Sequence, residues 1–109
     1  MCNIVEITTT LETMEQAQQL ADALVKSRLA ACVQIAGPIQ SVYQWQGEIC
    51  NSTEYRCTIK TTSNLQARLF SAIREQHPYE VPEILVTKVS ASSEAYGRWL
   101  QAQVSDDET

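Results

Sequence analysis

The sequence predicts an α+β fold of the ferredoxin-like class, with the element order β-α-β-β-α-β, a long central hairpin and an extra C-terminal helix. Short β-branched runs alternate with amphipathic helical repeats, and two long extended arms meet at one glycine turn. The chain has 109 residues, of which 44% are hydrophobic and 19% charged, as in a single globular domain. We therefore predict one domain over residues 1–104 and a flexible acidic tail over residues 105–109.

The first two elements follow from local patterns. Asn3 to Thr9 is short and β-branched, which favours a strand. A helix is predicted over Thr13 to Leu29, because Thr13 and Gln16 match a capping box. Its apolar positions repeat at helical spacing, and they are Ala17, Leu20, Ala21, Leu24 and Val25.

The next region is extended from Ala31 to Thr62, and Gly47 divides it into two arms. Each arm of about 15 residues would span about 50 Å at roughly 3.3 Å per residue, about twice the length of the first strand. Gly37-Pro38 predicts a bulge or bend in the first arm. Much of the hairpin should therefore extend past the part of the sheet that the helices cover.

The extended hairpin carries large apolar side chains, namely Tyr43, Trp45, Ile49 and Tyr55. Such a hairpin is an aggregation hazard in a monomer, so we predict a homo-oligomer in which another subunit covers it. The alternative is a hairpin that bends at Gly37-Pro38 and folds back on its own domain.

The second half repeats the helix and strand pattern. Ser63 and Gln66 match a second capping box, and the apolar stripe of that helix is Leu65, Leu69, Ala72 and Ile73. The helix should end at His77, because a residue that precedes proline avoids the helical region. Val81 to Val89 is predicted to be the fourth strand, and Ser93 to Val104 a third helix carrying Tyr96, Trp99 and Leu100.

The charge pattern excludes two classes of partner. The net charge is −5, and Asp106, Asp107 and Glu108 supply three of the negative charges. The 8 Lys and Arg residues are spread along the chain, so neither a nucleic acid nor an anionic membrane is expected to bind. The N-terminal residues lack the pattern of a signal peptide, which predicts a cytoplasmic location.

Four cysteines are present, at positions 2, 32, 50 and 57, and they form no C-x-x-C pair. In a reducing compartment they are expected to be free thiols. We predict that Cys32 and Cys57 are small buried residues, with a soft-metal role as the alternative.

The segment from His77 to Ile84 is the first candidate for a functional site. It contains one histidine, two prolines and the carboxylates Glu80 and Glu83. His77 with Glu80 or Glu83 would make a mixed nitrogen and oxygen metal site, with the missing ligands supplied by a partner subunit or by water. The alternative is a structural histidine that makes hydrogen bonds.

Other candidate residues have two interpretations each. Tyr43 and Trp45 lie two residues apart, so they share a face that either contacts another subunit or lines a ligand pocket. Lys60 is either a solvated or interface charge or an anion-binding lysine in an inter-subunit cleft. No nucleophile-and-base motif and no glycine-rich phosphate loop is present, so we do not expect an enzyme.

Four ordered motifs resemble the CutA divalent-cation tolerance family, and they are LAACVQI (29–35), SVYQWQGEI (41–49), IKT (59–61) and HPYEVPEI (77–84). The closing YxxWL (96–100) is similar to the C-terminal helix of that family. The resemblance implies a ferredoxin-like fold assembled as a tight homotrimer, similar to the PII signalling trimers, in the cytoplasm. It also implies a role in tolerance of copper and other divalent metals.

The resemblance implies copper ligands in some relatives, namely a cysteine that ends the first strand and a His-His pair before Pro-Tyr. Here the first strand ends in threonines 8–10 and the pair is Gln76-His77, so only His77 is carried over as a metal ligand. Candidate residues for an inter-subunit ligand cleft are Tyr43, Trp45, Lys60, Tyr79, Glu80 and Glu83.

Two functions remain as hypotheses. The first is a trimer that binds Cu(II) or another divalent metal, or a small ligand, at subunit clefts. The second is a PII-like regulatory or scaffold trimer that binds a small ligand or a protein partner, with metal binding incidental.

Overall fold

The computed structural model describes residues 2–106 and has the predicted ferredoxin-like element order. The elements are β1 (Ile4–Leu11), α1 (Met14–Lys26), β2 (Cys32–Trp45), β3 (Glu48–Thr62), a 3-10 turn (Ser63–Leu65), α2 (Gln66–Gln76), β4 (Leu85–Lys88) and α3 (Glu94–Gln103). Within these residues no helix is both long enough and apolar enough to cross a membrane.

The four strands form one antiparallel sheet in the order β2-β3-β1-β4. β1 is central because its β-branched residues are buried on the face that the helices cover. Its Val5, Ile7 and Leu11 pack with Leu24 of α1 and Leu69 of α2 in the main core. The opposite face of the sheet is more polar, since alternate residues of a strand point to opposite sides.

The start of α1 confirms the predicted capping box. The Thr13 hydroxyl accepts a hydrogen bond from the Gln16 backbone N–H at 3.1 Å, and the Gln16 side chain accepts one from the Thr13 N–H at 3.3 Å. The helix ends at Lys26, three residues before the predicted end. Val25 was expected in the apolar stripe but is exposed, because it lies beyond the edge of the face that contacts the sheet.

The predicted capping box of the second helix is wrong. Ser63 lies in the 3-10 turn, and α2 begins at Gln66 without a side-chain cap. The Ser63 N–H donates to the Asn3 carbonyl at 2.8 Å, so a tertiary contact fixes the start of this turn. The helix ends before His77, as predicted from the following proline.

The fourth strand is shorter than predicted. Only Leu85–Lys88 pairs with β1, whereas residues 81–84 are irregular. Pro82 lacks a backbone N–H for a strand ladder. Residues 79–83 instead cross the end of the sheet beside β3, where they line a groove with the hairpin.

The third helix is close to its predicted bounds, and the Ser93 hydroxyl caps it by accepting from the Tyr96 N–H at 3.2 Å. Leu100 is fully buried against Ile4 and Ala31 in a second small core. Tyr96 and Trp99 are exposed on the other side of the helix.

The first two residues of the predicted tail contact the domain. The Ser105 N–H donates to the Arg28 carbonyl at 3.0 Å, and the Asp106 carboxylate lies 3.4 Å from the Arg68 guanidinium. The rest of the predicted tail, residues 107–109, lies outside the described residues.

The central hairpin has the predicted length and bulge. β2 and β3 pair from Cys32 and Lys60 to Trp45 and Glu48, with a register shift between Ala36 and Ile39. β1 ends opposite Tyr55, so residues 39–54, here called the hairpin extension, pair only within the hairpin. The radius of gyration is 14.6 Å, against about 13 Å for a compact chain of this length.

The expectation that Tyr55 is exposed on the hairpin is wrong. Tyr55 pairs with Leu11 at the last position of β1 and packs against the main core. The residues beyond it behave differently: Val42, Tyr43, Trp45 and Ile49 are all exposed.

All four cysteines are free thiols, as predicted. Cys57 is fully buried, and burial raises the pKa of its thiol to about 11. Cys32 was expected to be buried but is only half-buried, because it pairs with Lys60 on the polar face of the sheet.

Candidate functional site

A groove lies between the hairpin extension and residues 79–83. Its volume is about 610 Å³. Its lining residues are Thr10, Ser41, Val42, Tyr43, Trp45, Glu54, Tyr79, Glu80, Val81 and Glu83. We call it the hairpin groove.

One hydrogen bond ties the two walls of the hairpin groove together. The Tyr79 hydroxyl donates to Oε2 of Glu54 at 2.8 Å. Burial raises the pKa of the Tyr79 phenol, and the bond to Glu54 raises it further, so Tyr79 stays a donor at neutral pH. Glu54 is only 7% exposed, although its side chain is polar.

The hairpin wall presents two aromatic rings. Tyr43 pairs with Cys50 and Trp45 with Glu48, so the two rings share a face as predicted. The Tyr43 hydroxyl lies 2.7 Å from the Ser52 hydroxyl across the strands, which fixes its ring. A neighbouring cavity of about 540 Å³ shares Tyr43 and Tyr79 with the hairpin groove, and its other lining residues are Glu12, Ser52 and Thr53.

His77 lies behind Tyr79, and both of its ring nitrogens are engaged. The Tyr79 backbone N–H donates to Nδ1 at 3.2 Å. Nδ1 is therefore unprotonated, and Nε2 carries the proton that it donates to the Thr10 carbonyl at 2.7 Å. The rings of His77 and Tyr79 also meet edge to face at 4.6 Å. His77 therefore holds the start of the loop against the end of β1.

The pKa of His77 is lowered from 6.5, because burial disfavours the imidazolium; the Thr10 carbonyl and the Glu54 carboxylate act in the opposite direction. Below pH 6.5 the unfolded chain then binds more protons than the folded chain. We expect the contribution of His77 to the free energy of unfolding to be lost as the pH falls from 6.5 towards the lower folded pKa, and to be retained above 6.5. Urea denaturation between about pH 5 and pH 8, in buffer with a chelator, measures this.

The control for the His77 effect is the variant His77→Gln, which has no group that titrates in this range. Carboxylates titrate in both proteins, so the difference between the two pH profiles isolates the histidine. Wild-type protein should lose more stability than His77→Gln between about pH 6.5 and pH 5. Parallel profiles would show that His77 does not have the lowered pKa.

The structure brings five of the six candidate cleft residues together. Tyr43, Trp45, Tyr79, Glu80 and Glu83 all line the hairpin groove. Lys60 lies elsewhere, six residues from Glu54 along β3, which corresponds to about 20 Å.

Lys60 lines a separate cavity under α3. The cavity has a volume of about 260 Å³, and Glu6 and Tyr96 also line it. The Lys60 Nζ lies 6.0 Å from the centre of the Tyr96 ring, where a cation is attracted by the face of the ring. The Lys60 ammonium group thus lies beside α3 and not in the hairpin groove.

The predicted metal site of His77, Glu80 and Glu83 is incomplete within one chain. Among residues 2–106 no three His, Cys, Asp or Glu side chains are close enough together to hold a metal ion. His77 does not line the hairpin groove, whereas Glu80 and Glu83 do, and both are exposed.

Glu54 is the site residue that the sequence analysis did not identify. It shares one face of β3 with Ser52 and Arg56, and such a run of polar residues is typical of a solvated strand face. The loop residue Tyr79, 25 positions away, covers it. The only sequence signal was the tyrosine inside a rigid Pro-x-x-x-Pro segment, residues 78–82, which had to pack on something.

The chain matches the family model described as "CutA1 divalent ion tolerance protein" over residues 5–103. It is 36% identical over 104 residues to the divalent-cation tolerance protein CutA of Pectobacterium atrosepticum, covering 95% of this chain and 94% of the relative.

Solved structures agree with the sequence relatives. CutA from Synechococcus elongatus has a TM-score of 0.92 at 45% identity, covering 96% of this chain and 93% of that one. The divalent cation tolerance protein from Thermus thermophilus has a TM-score of 0.91 at 34% identity, covering 94% and 99%. The fold, the order of the motifs and the extent of the match lead to one conclusion: this chain belongs to the CutA1 divalent ion tolerance family.

Proposed function

We propose that this protein acts in divalent-cation tolerance in the cytoplasm, as a homotrimer that binds its ligands in clefts between subunits. The observation that carries the proposal is the hairpin extension. Val42 is 66% and Ile49 is 71% exposed on one face, while Tyr43 and Trp45 are exposed on the other. Apolar side chains on both faces of a two-stranded arm need partners on both sides.

Two unpaired edges favour a ring of subunits. In the sheet of the described residues β2 is one edge and β4 is the other, so each has an unused row of backbone donors and acceptors. Pairing one edge with a different edge of the next subunit is a head-to-tail contact, which forms a ring when the rotation between neighbouring subunits closes and a filament when it does not. The number of three subunits is the one that the family resemblance implies.

The proposed metal ligand in each chain is Nδ1 of His77. Its hydrogen bond to the Tyr79 N–H, at 3.2 Å, is longer than the Nε2 bond to the Thr10 carbonyl at 2.7 Å, so Nδ1 is the nitrogen more readily released. A histidine whose other nitrogen donates to a backbone carbonyl is already oriented as metal-binding histidines are. The remaining ligands would come from Glu80 or Glu83, a neighbouring subunit or water.

Calorimetric titration with Cu(II) and with Zn(II) tests the metal site. The His77→Ala variant should bind at least about tenfold more weakly than wild-type protein. The matched control is Gln76→Ala, which removes the exposed neighbour and should leave the affinity unchanged. Equal weak binding by wild-type protein and His77→Ala would contradict a role for His77.

Light scattering tests the assembly separately. A mass of about three chains of 12.2 kDa each is expected. A mass near that of one chain would contradict the proposed trimer, whatever the metal titration gives.

One observation favours the second function, a regulatory trimer that binds a small ligand. The hairpin groove has a volume in the range of small-molecule sites, roughly 300–1,000 Å³, and rigid aromatic rings form part of its wall. A single divalent ion does not need a groove of this size.

A further inference from the structure

We propose that the hydrogen bond from Tyr79 to Glu54 is a brace that holds the hairpin extension in the orientation in which it meets the neighbouring subunit. Tyr79 and Glu54 are then positioning residues for assembly. This role rests on the proposed function, because it concerns the subunit contact of the proposed homotrimer. The brace lies within one chain, so it needs neither a metal ion nor an open groove, and a neighbouring subunit can cover it.

The hairpin extension has few other polar links to its own domain. Its residues 39–54 pair only within the hairpin, beyond the last residue of β1. Its other side-chain hydrogen bonds in the described chain stay inside the extension, and they join Gln40 to Thr53, Tyr43 to Ser52 and the Cys50 thiol to the Glu48 carbonyl. Among residues 2–106, the bond from Tyr79 to Glu54 is thus the hydrogen bond that connects the extension to the rest of the domain.

Glu54 lies at the point where the hairpin can bend. The register of β2 and β3 shifts between Ala36 and Ile39, and Ile39 pairs with Glu54 directly beyond that shift. A bulge bends a strand, and two strands without a third have little stability of their own. A bond at Glu54 therefore fixes the angle at which the extension leaves the sheet.

The other end of the brace is anchored in the domain. The His77 backbone N–H donates to the Ile73 carbonyl at 2.9 Å, which joins the loop to the end of α2. The His77 ring donates to the Thr10 carbonyl at 2.7 Å and contacts the Tyr79 ring edge to face. Tyr79 is thus held against the ends of α2 and β1, and its hydroxyl reaches the hairpin from a fixed position.

Loss of the brace should slow assembly more than it affects the fold. Without the Tyr79 hydroxyl, the buried Glu54 side chain loses its donor, which costs about tenfold or more in an equilibrium constant. The extension then also populates orientations that do not fit the neighbouring subunit. Chains associate in proportion to the fraction that has the competent orientation, so association becomes slower.

Four single variants separate the brace from the side chains that form it. Tyr79→Phe removes the donor and keeps the ring, whereas Glu54→Leu removes the acceptor and keeps a similar volume. Glu54→Gln is the conservative variant, because its amide oxygen can still accept from Tyr79. Tyr55→Phe is the matched control, because it removes a hydroxyl from the next residue of β3, which packs against the main core.

Reassembly is measured by light scattering after chains dissociated in urea are diluted, and circular dichroism of the same samples follows folding. Tyr79→Phe and Glu54→Leu should each slow reassembly at least about tenfold, while Glu54→Gln and Tyr55→Phe stay within about threefold of wild-type protein. The recovery of circular dichroism should have the same rate in all of them. Tyr79→Phe combined with Glu54→Leu should be no slower than either alone, because both remove one bond.

The motion of the extension is measured separately, in single chains. The variant Val42→Lys with Ile49→Lys lacks the apolar contact, and Trp99→Phe leaves Trp45 as the one tryptophan of the chain. Trp45 lies at the end of the extension, next to the hairpin turn. Adding Tyr79→Phe to this background should at least about double the amplitude of the nanosecond decay of the Trp45 fluorescence anisotropy.

Equal reassembly rates of Tyr79→Phe and Tyr55→Phe would overturn the inference. So would a Trp45 anisotropy decay that Tyr79→Phe leaves unchanged, or slow reassembly of Glu54→Gln together with fast reassembly of Glu54→Leu. Wild-type protein with the mass of one chain would instead contradict the proposed homotrimer and, with it, the role of the brace in assembly. The anisotropy measurement would then still decide whether the bond orients the extension, so the two failures are distinguishable.

Discussion

Replacing both Val42 and Ile49 with lysine should dissociate the proposed homotrimer into single chains. The two side chains share a face of the hairpin extension and are among the most exposed apolar groups of the described chain. Burying each one is worth about 1.5–3 kcal/mol. Losing both contacts should therefore raise the dissociation constant at least about 100-fold, and an ammonium group at the interface adds a desolvation cost.

The control for the hairpin variant is Met14→Lys with Val25→Lys. These two apolar residues are also exposed, but they lie on α1, away from the hairpin extension. Light scattering at micromolar concentration should give the wild-type mass for this control and the mass of one chain for the hairpin variant. A hairpin variant that keeps the wild-type mass would refute the hairpin extension as the main subunit contact.

Replacing Ile59 with alanine should lower the free energy of unfolding by about 2–5 kcal/mol, the usual cost of truncating a fully buried isoleucine. Ile59 is 0% exposed and lies at the centre of the sheet, opposite Ile7 of β1 and Val33 of β2. Strands on both sides and helices above prevent the surroundings from collapsing into the space that is left. Urea denaturation at a fixed protein concentration measures the loss.

Val25→Ala is the control for the core variant, because Val25 is 43% exposed and lies outside the core. It should change the free energy of unfolding by less than about 0.5 kcal/mol. Light scattering of both variants should give the same mass, so that a change of assembly is not read as a change of core packing. If both variants lost a similar free energy of unfolding, the result would contradict the prediction that Ile59 is a core residue whose surroundings cannot collapse.

The elements that could be predicted are those set by neighbouring residues. Thr13 and Gln16 bond to each other's backbone across one turn, so the start of α1 was visible in the sequence. Gly47 has a positive φ of 81°, which suits glycine and places the hairpin turn between Trp45 and Glu48. The difference in length between the first strand and the hairpin arms predicted the hairpin extension.

The errors lie where distant residues compete with local patterns. Ser63 matched a helix cap, but its N–H bonds to Asn3, sixty residues away, and a 3-10 turn results. Residues 81–84 looked like the start of a strand, yet the chain there follows the end of the sheet beside β3. Neither contact leaves a periodic signal in the sequence.

The residues of the candidate site also fall into those that the sequence predicted and those that it did not. Motif positions predicted that Tyr43, Trp45, Tyr79, Glu80 and Glu83 belong together, and they line one groove. Lys60 was grouped with them but faces a different cavity, because six residues along a strand carry it away from the groove. Glu54 was missed because burial depends on what covers a strand face, and that cover comes from another part of the chain.

The sequence by itself determined the order of the elements, the cap of α1, the length of the hairpin and the family to which the chain belongs. Only the tertiary structure decided that Glu54 is buried and that His77 is neutral with its proton on Nε2. Those properties depend on bonds between residues 25 positions apart, Glu54 and Tyr79, and 67 positions apart, Thr10 and His77. Burial and proton position are set by neighbours in space, and periodicity along the chain does not encode them.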